Sequence, residues 1–403
     1  MTRESFYANA RSDLSGPLDG IIVMEATTTW AGPMAGCILA DYGATVIKVE
    51  HPDGEVARRL PPFIPESELT VFNETVNRNK QSLSLDLRQP EGRDIFLALC
   101  ATADIVVENF RPGTMMKWGV GYPDVMAVKP DIIYVSISGF GQFGELSDRI
   151  GYDPMAQNYC GWTSLNGEPD GGPVKAPTFL ADDLGGLNGA MGAMAALRHR
   201  DQTGEGQHVD VALLDGLIFQ SNGNLTCGAM GLPLPRMGNQ FALAAPINRY
   251  ACSDGHVYAG ALLDSQWKSL ATLIERTDLG DLSSAERLAR RDELDALVGG
   301  WCASYTAAEV VDAFSERGLP ATRVNTFAEC SKLTHVASRD MLQDTALADG
   351  STAPLTGPAA KFSRTPVRIR TCAPTLGAHN REILRGLGYG DEEIKRLNRD
   401  GVT

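Results

Sequence analysis

The sequence predicts an α/β protein with a large, doubly wound parallel sheet and a smaller α+β domain. Apolar strands alternate with small-residue helices from residue 18 onward, and the strand-like runs are continuous in β-branched residues, as in strands covered on both faces. A stretch dense in Gly and Pro then separates this region from a segment of different pattern. At 403 residues the chain has room for two or three units with substantial cores.

In order, GIIVMEA (20–26) reads as a strand, AGPMAGCILADYG (31–43) as a helix and TVIKVE (45–50) as the next strand, a β-α-β unit. Glu91–Ala103 reads as a helix, DIVVEN (104–109) as a strand, and DIIYVSISGFG (131–141) as a further buried strand. After a loop over 142–180, ADDLGGLNGAMGAMAALRHR (181–200) reads as a helix whose Gly and Ala let other backbones approach closely. The turn DQTGEGQ and the alternating HVDVALLD (208–215) follow. Residues 1–220 are thus the first part of the large domain, 221–245 a linker or mobile loop, and 246–330 a small α+β domain with a strand near HVYAGAL (256–262). Residues 331–403 form a return segment, extended around Pro354, Pro358 and Pro366 and helical over 377–398.

Charge narrows the function classes. With 36 Lys+Arg against 50 Asp+Glu, the net charge of −14 opposes nucleic-acid backbones and anionic lipid, so neither nucleic acid nor membrane is an expected partner. The eight cysteines include no CxxC pair and no Cys/His ligand spacing, which predicts free thiols in a reducing, cytoplasmic setting and no metal site. Neither a signal peptide nor the roughly 18 apolar residues of a membrane span is legible.

The first β-α turn, TTTWAGPMAG (27–36), lacks the three-glycine dinucleotide spacing and has Pro33 at the start of its helix. It leaves a helix N-terminus able to receive an anionic or carbonyl group, or else simple helix–sheet packing. Basic residues gather in this half, namely Lys48, Arg58, Arg59, Arg78, Lys80, Arg111 and Lys117, several of them near strand ends where α/β sheets bind ligands. In VENFRPG (107–113), Asn109, Phe110 and Arg111 offer amide reading, stacking and phosphate pairing, or alternatively a solvated surface. In NGEPDGGP (166–173), Asp170 precedes two glycines and a proline. By composition this is a surface turn, but a carboxylate on such a loop is also suited to nucleophilic attack on an activated acyl group. Asp182 and Asp183 are expected to cap the Gly-rich helix. The six histidines form neither a Ser-His-Asp pattern nor HExxH.

Together, PLDGIIVMEATTTWAGPMAG, LADYGATVIKVEHPDGE, NRNKQSLSLDL, ADIVVENFRPG, SISGFGQFG, ADDLGGLNGAMGAMAALRHRDQTGEGQHVDVALLDG and LGAHNREILRGLGY resemble the class III CoA-transferase family, which includes formyl-CoA and carnitine CoA-transferases and α-methylacyl-CoA racemases. The resemblance implies that both chain ends build the large domain and that two chains interlock as a homodimer. It implies coenzyme A as a co-substrate with no permanently bound cofactor, and acyl-CoA and small carboxylic acids as partners. The family's aspartyl nucleophile falls on Asp170, with Gly171 and Gly172 as oxyanion-binding loop. The CoA contacts fall on Trp30, Ala31, His51, Asn77, Arg78, Asn79, Lys80, Asn109, Phe110, Arg111, Lys117, Ser138, Gly139, Phe140 and Gly141. Several relatives carry Arg at the place of His51 and Gln at the place of Trp30. Racemases resemble GHD followed by an acid before the glycine-rich helix; here the acid is Asp183, but Tyr152 replaces the histidine. With an ordinary pKa of roughly 10, tyrosine is a poor proton acceptor near neutrality, which favours CoA transfer over racemisation. A non-catalytic protein that binds CoA esters is the remaining alternative.

Overall fold

Six parallel strands, β1 (Ile22–Ala26), β2 (Thr45–Glu50), β3 (Lys80–Ser84), β4 (Ile105–Glu108), β5 (Ile133–Ser138) and β6 (Gln207–Ala212), form one sheet in the order β3-β2-β1-β4-β5-β6. The structure, a computed structural model, describes all residues from Met1 to Thr403. Side chains alternate along a strand, so Val23 and Met24 enter opposite cores. Met24, Val106 and Tyr134 pack with Phe96 and Leu99 of the Pro90–Cys100 helix and with Leu384 and Leu397 near the chain end. Val23, Ile105, Ile133 and Val135 pack with residues of the Ala31–Asp41 and Leu180–Thr203 helices. The sheet is therefore doubly wound, as expected. The close approach expected of the Gly-rich helix is also present: a Cβ at Gly186 would lie 2.9 Å from Ala31 O.

The strand β3 is an element the sequence pattern hides. Its residues, Lys80-Gln-Ser-Leu-Ser84, are mostly polar, yet Lys80, Ser82 and Ser84 are buried. For Ser82 and Ser84 the return segment supplies the partners. Ser82 N–H donates to His379 Nδ1 (3.1 Å), Ser84 N–H donates to Asn380 Oδ1 (2.8 Å), and Ser82 Oγ accepts from Gly377 N–H (3.0 Å). The chain end thus covers an edge that would otherwise present unpaired backbone groups.

The chain divides into two compact units. The first comprises Met1–Trp162, Lys175–Thr226 and His335–Thr403; the second comprises Thr163–Val174 and Cys227–Thr334. The second unit has a three-stranded antiparallel sheet, β7 (Ile247–Cys252), β8 (Gly255–Gly260) and β9 (Ala321–Arg323). Its core includes Tyr250, Val257, Trp267, Leu294 and Phe314. The buried Arg287 is satisfied by Asp264 Oδ1 (2.7 Å) and Ala245 O (2.9 Å). Residues 221–245 include a short helix, Asn224–Ala229. The return segment holds a hairpin, β10 (Leu342–Ala346) and β11 (Thr352–Thr356), and the helices Asn380–Gly386 and Asp391–Arg399. No helix is long and apolar enough to cross a membrane.

Candidate active site

The strand order reverses between β1 and β4, and in open α/β sheets the crevice beyond the carboxyl ends at such a point is where ligands bind. A cleft of about 270 Å³ lies there, lined by Thr28–Ala31, Asn109–Pro112, Ser138, Gly139, Arg149, Tyr152 and Asp182 among others. Its floor is the turn after β1. Thr29 holds a positive φ of 71°, costly for a β-branched residue, so the surroundings must impose it. Thr29 N–H donates to Glu55 Oε2 (2.7 Å), and Asn109 clasps Thr28 with both ends of its amide (2.8 Å each way). The helix begins at Ala31, so the Ala31 and Gly32 amides have no intrahelical acceptor, and Pro33 has no N–H at all. Two donors and the positive end of an 11-residue helix therefore lie at the cleft.

Beneath this turn lies a buried ion network. Lys48 Nζ meets Glu25 Oε1 (3.1 Å) and Glu55 Oε1 (3.0 Å), while Lys80 Nζ meets Glu25 Oε2 (2.6 Å) and donates to Pro33 O (2.8 Å). Asn77 joins Glu55 (3.1 Å) to Lys80 (3.1 Å). Burial works against the Lys48 charge, but Glu55, Glu25 and Glu50 outweigh it and hold its pKa above the ordinary value. Arg78 pairs with Asp41 (2.7 Å), and Asn79 binds Asp41 (2.7 Å) and accepts from Arg370 N–H (2.6 Å). Asn77, Arg78, Asn79 and Lys80 are thus buried and committed to protein partners, Asn77 and Lys80 beneath the turn, Arg78 and Asn79 at Asp41, the far end of the helix that begins there.

Of the other expected CoA contacts, Trp30, Ala31, Asn109, Phe110, Arg111, Ser138 and Gly139 come together along the cleft. The Trp30 indole donates to Asp183 Oδ1 (2.7 Å) and stacks edgewise against Phe72 and Phe179. Phe110 packs edgewise on Trp118, with ring centroids 5.0 Å apart. Arg111 donates to Asp148 O (2.5 Å), tying down the loop that carries Arg149 and Tyr152. Ser138 Oγ accepts from Gly141 N–H (3.0 Å), and Phe140 packs on Tyr159. Lys117 is exposed on the short helix after Arg111, and His51, beyond β2, lies among Asp53, Asp86 and Arg88; neither lines the cleft.

The acids at the Gly-rich helix do not cap it, contrary to the sequence expectation. The N-cap position is Phe179, with no side-chain cap bond, and Asp182 and Asp183 lie inside the first turn. The satisfying acceptor comes from outside, where Asp153 Oδ1 accepts from Ala181 N–H (2.7 Å). Burial, with the negative charges of Asp153 and Asp183 nearby, pushes the Asp182 carboxyl up to about 7, and no hydrogen bond opposes this. Burial also raises Asp183, partly offset by the Trp30 indole. Glu108, ending β4, is pushed up to about 7, chiefly by burial.

Asp170 sits in the second unit. Glu168 O accepts from Gly171 N–H (3.0 Å), closing a β-turn with Pro169 and Asp170 at its corners. Asp170, Gly171 and Gly172 are exposed on it. Pro169 fixes the first corner, and Asp is tolerated at the second. The Gly171 amide is thereby committed to the turn, leaving Gly172 N–H as the next donor along the loop.

The sequence model of CoA-transferase family III matches residues 18–380. The chain belongs to CoA-transferase family III. This family III enzyme is 36% identical over 400 residues to the succinyl-CoA--L-malate CoA-transferase beta subunit of Chloroflexus aurantiacus, spanning 94% of this chain and 96% of the relative. It is 33% identical to the succinate--glutarate CoA-transferase of Agrobacterium fabrum, over 92% of this chain and 96% of the relative. A crystal structure of a CaiB/BaiF family protein from Brucella suis superposes with a TM-score of 0.82 at 33% identity, covering 93% of this chain and all of that one. The chain is thus a CoA-transferase, and its class acts on CoA thioesters.

In this family III enzyme the sequence reading missed two features of the cleft. Arg149 lines the cleft but follows no strand-end pattern in the sequence, its position in a loop of an acidic chain being the one usable signal. From sequence Asp182 reads as a cap because Asp at a helix start usually is one; only the tertiary position of Asp153 takes that role away.

Proposed function

We propose that the enzyme moves CoA from succinyl-CoA, or another acyl-CoA of a small dicarboxylic acid, to a small carboxylic acid, with Asp170 as nucleophile. The observation that carries this is the exposed carboxylate at the corner of a Pro-Asp-Gly-Gly turn in a family III chain. The names of the relatives, with succinyl, malate, mesaconate and glutarate substrates, support the substrate class. An Asp170 oxygen attacks the thioester carbonyl and CoA thiolate leaves, forming a mixed anhydride. The thiolate then attacks the aspartyl carbonyl and expels the donor carboxylate, leaving CoA as a thioester on Asp170. The acceptor carboxylate attacks that thioester, and the thiolate returns to the acceptor's acyl carbon, which frees Asp170. Each oxyanion needs donors preorganised at its position, a role we assign to the Gly172 amide and to Gly171 when the turn opens. The CoA moiety takes the cleft, where the Ala31 and Gly32 amides, Phe110, Arg111 and Arg149 receive it, with Lys117 and His51 further out. Asn77 and Lys80 act in CoA binding by holding the floor beneath it, while Arg78 and Asn79 act only through Asp41 at the other end of the helix.

Epimerisation has less support, since Asp183, the acid it would require, is engaged by the Trp30 indole. We also read the enzyme as a cytoplasmic homodimer. Eight unpaired cysteines support the compartment, and the exposed Leu187 and Met191, one turn apart on the Gly-rich helix, support an apolar contact with a second copy.

The test offers a panel of acyl-CoA donors with mono- and dicarboxylates and reads products by mass spectrometry. Succinyl-CoA with a dicarboxylate should give exchange, and Asp170→Ala should abolish it while CoA affinity stays within about twofold, since the carboxylate is not an anchor. In deuterium oxide, a 2-methylacyl-CoA should gain no α-deuterium. Full activity in Asp170→Ala, or α-deuteration at the turnover rate, would reject the reading.

A further inference from the structure

The Asp170 turn is gripped by a strap from residues 236–239 of the same unit. The Arg236 guanidinium donates to Ser164 O (3.3 Å) and to Gly171 O, so one planar fork joins the chain before the turn to the chain after it. Gly238 N–H donates to Gly167 O (3.0 Å), and Asn239 donates to Glu168 Oε1 (3.4 Å). Glycine is required on both sides of this contact. Gly167 has φ +114° and a Cβ there would lie 3.3 Å from Arg236 Cδ; Gly238 has φ +57° and a Cβ there would lie 2.5 Å from Glu168 Oε2.

We propose that Arg236 is a positioning residue for the Asp170 turn, fixing the orientation of the Gly171–Gly172 peptide; the inference rests on Asp170 being the nucleophile. In a trans peptide the C=O and the following N–H point in opposite directions. By holding Gly171 O on its own side, Arg236 directs Gly172 N–H to the other side, where it is free to meet an oxyanion formed at Asp170. The grip is a charge-assisted bond to a carbonyl two bonds from the Asp170–Gly171 peptide, so it also limits rotation of the Asp170 backbone. Lysine cannot replace it, because a point charge does not bridge two carbonyls in one plane.

The test compares unaltered enzyme, Arg236→Ala and Arg236→Lys in single-turnover reactions with succinyl-CoA. Hydroxylamine traps the activated aspartate, peptide mass spectrometry locates it, and calorimetry gives CoA affinity. Displacing the turn should slow trapping at Asp170 by about 100-fold in both variants, with CoA affinity within about twofold, and added guanidinium ion should restore part of the rate in Arg236→Ala but not in Arg236→Lys. Arg236→Lys keeps the aliphatic stem over Gly167 and serves where the Ala variant does not fold. Trapping at Asp170 at the unaltered rate in either variant, or a loss of CoA affinity as large as the loss of rate, overturns the positioning role. Absence of trapping at Asp170 in the unaltered enzyme overturns the nucleophile reading, and the positioning role with it.

Discussion

Asp182 shows how one buried carboxyl leaves a signature in bulk measurements. Its ordinary value is 3.8, and the fold raises it to about 7, so between these values the folded chain holds a proton that the unfolded chain has released. Stability therefore falls as pH rises through that interval, and Asp182 contributes no further change above it. Asp182→Asn, which cannot ionise, should flatten the slope of Tm against pH between pH 5 and 7. Glu108, raised in the same sense, keeps a residual slope that Glu108→Gln then removes in part. An unchanged slope in Asp182→Asn would show that the carboxyl ionises normally. At this scale the sequence revealed residue types and few of their partners. The Asp170 turn was legible because Pro, Asp and Gly encode it locally, whereas the cleft placement of Asp182 depends on residues 29 positions earlier in the chain.

Among the elements, β1, β2, β4 and β5 could be read from their continuous apolar runs. The β3 strand could not, because Lys80, Ser82 and Ser84 fill a buried position with polar groups whose partners lie in Glu25 and residues 377–380. The periodicity rule assumes that burial selects apolar side chains, and here it selects paired polar ones. The same pairing makes β3 vulnerable. Lys80→Met leaves Glu25 buried with half of its compensation and should cost about 3–5 kcal/mol in urea unfolding, with weaker CoA binding because Pro33 O loses its donor. Adding Glu25→Leu should recover part of the stability, and failure of the double variant to do so would show that the pair is not the cause. Asn77, Arg78, Asn79 and Lys80, matched through the family resemblance, illustrate the gap between a motif's position and its side-chain contacts.

For the whole molecule, the dimer reading predicts a light-scattering mass twice the 43.2 kDa of one chain, and Leu187→Glu combined with Met191→Glu should reduce it. A single-chain mass at micromolar concentration would reject the homodimer. The passage of the chain through its two units has a temporal consequence. The polypeptide enters the second unit at Thr163, leaves it at Val174, and returns only at Cys227. A nascent chain thus emerges with its Asp170 turn tens of residues before Arg236 and Gly238 exist to hold it. The sixth strand of the sheet is complete by Ala212, but the β3 edge waits for His379, 297 positions after Ser82. The first unit cannot close in simple N-to-C order, whereas the second, whose last residue is Thr334, has every residue of its turn and strap before the β3 edge is covered. A growing chain thus carries its sheet with an open flank, and the strap around the turn can close first, the flank only once His379 and Asn380 have been made.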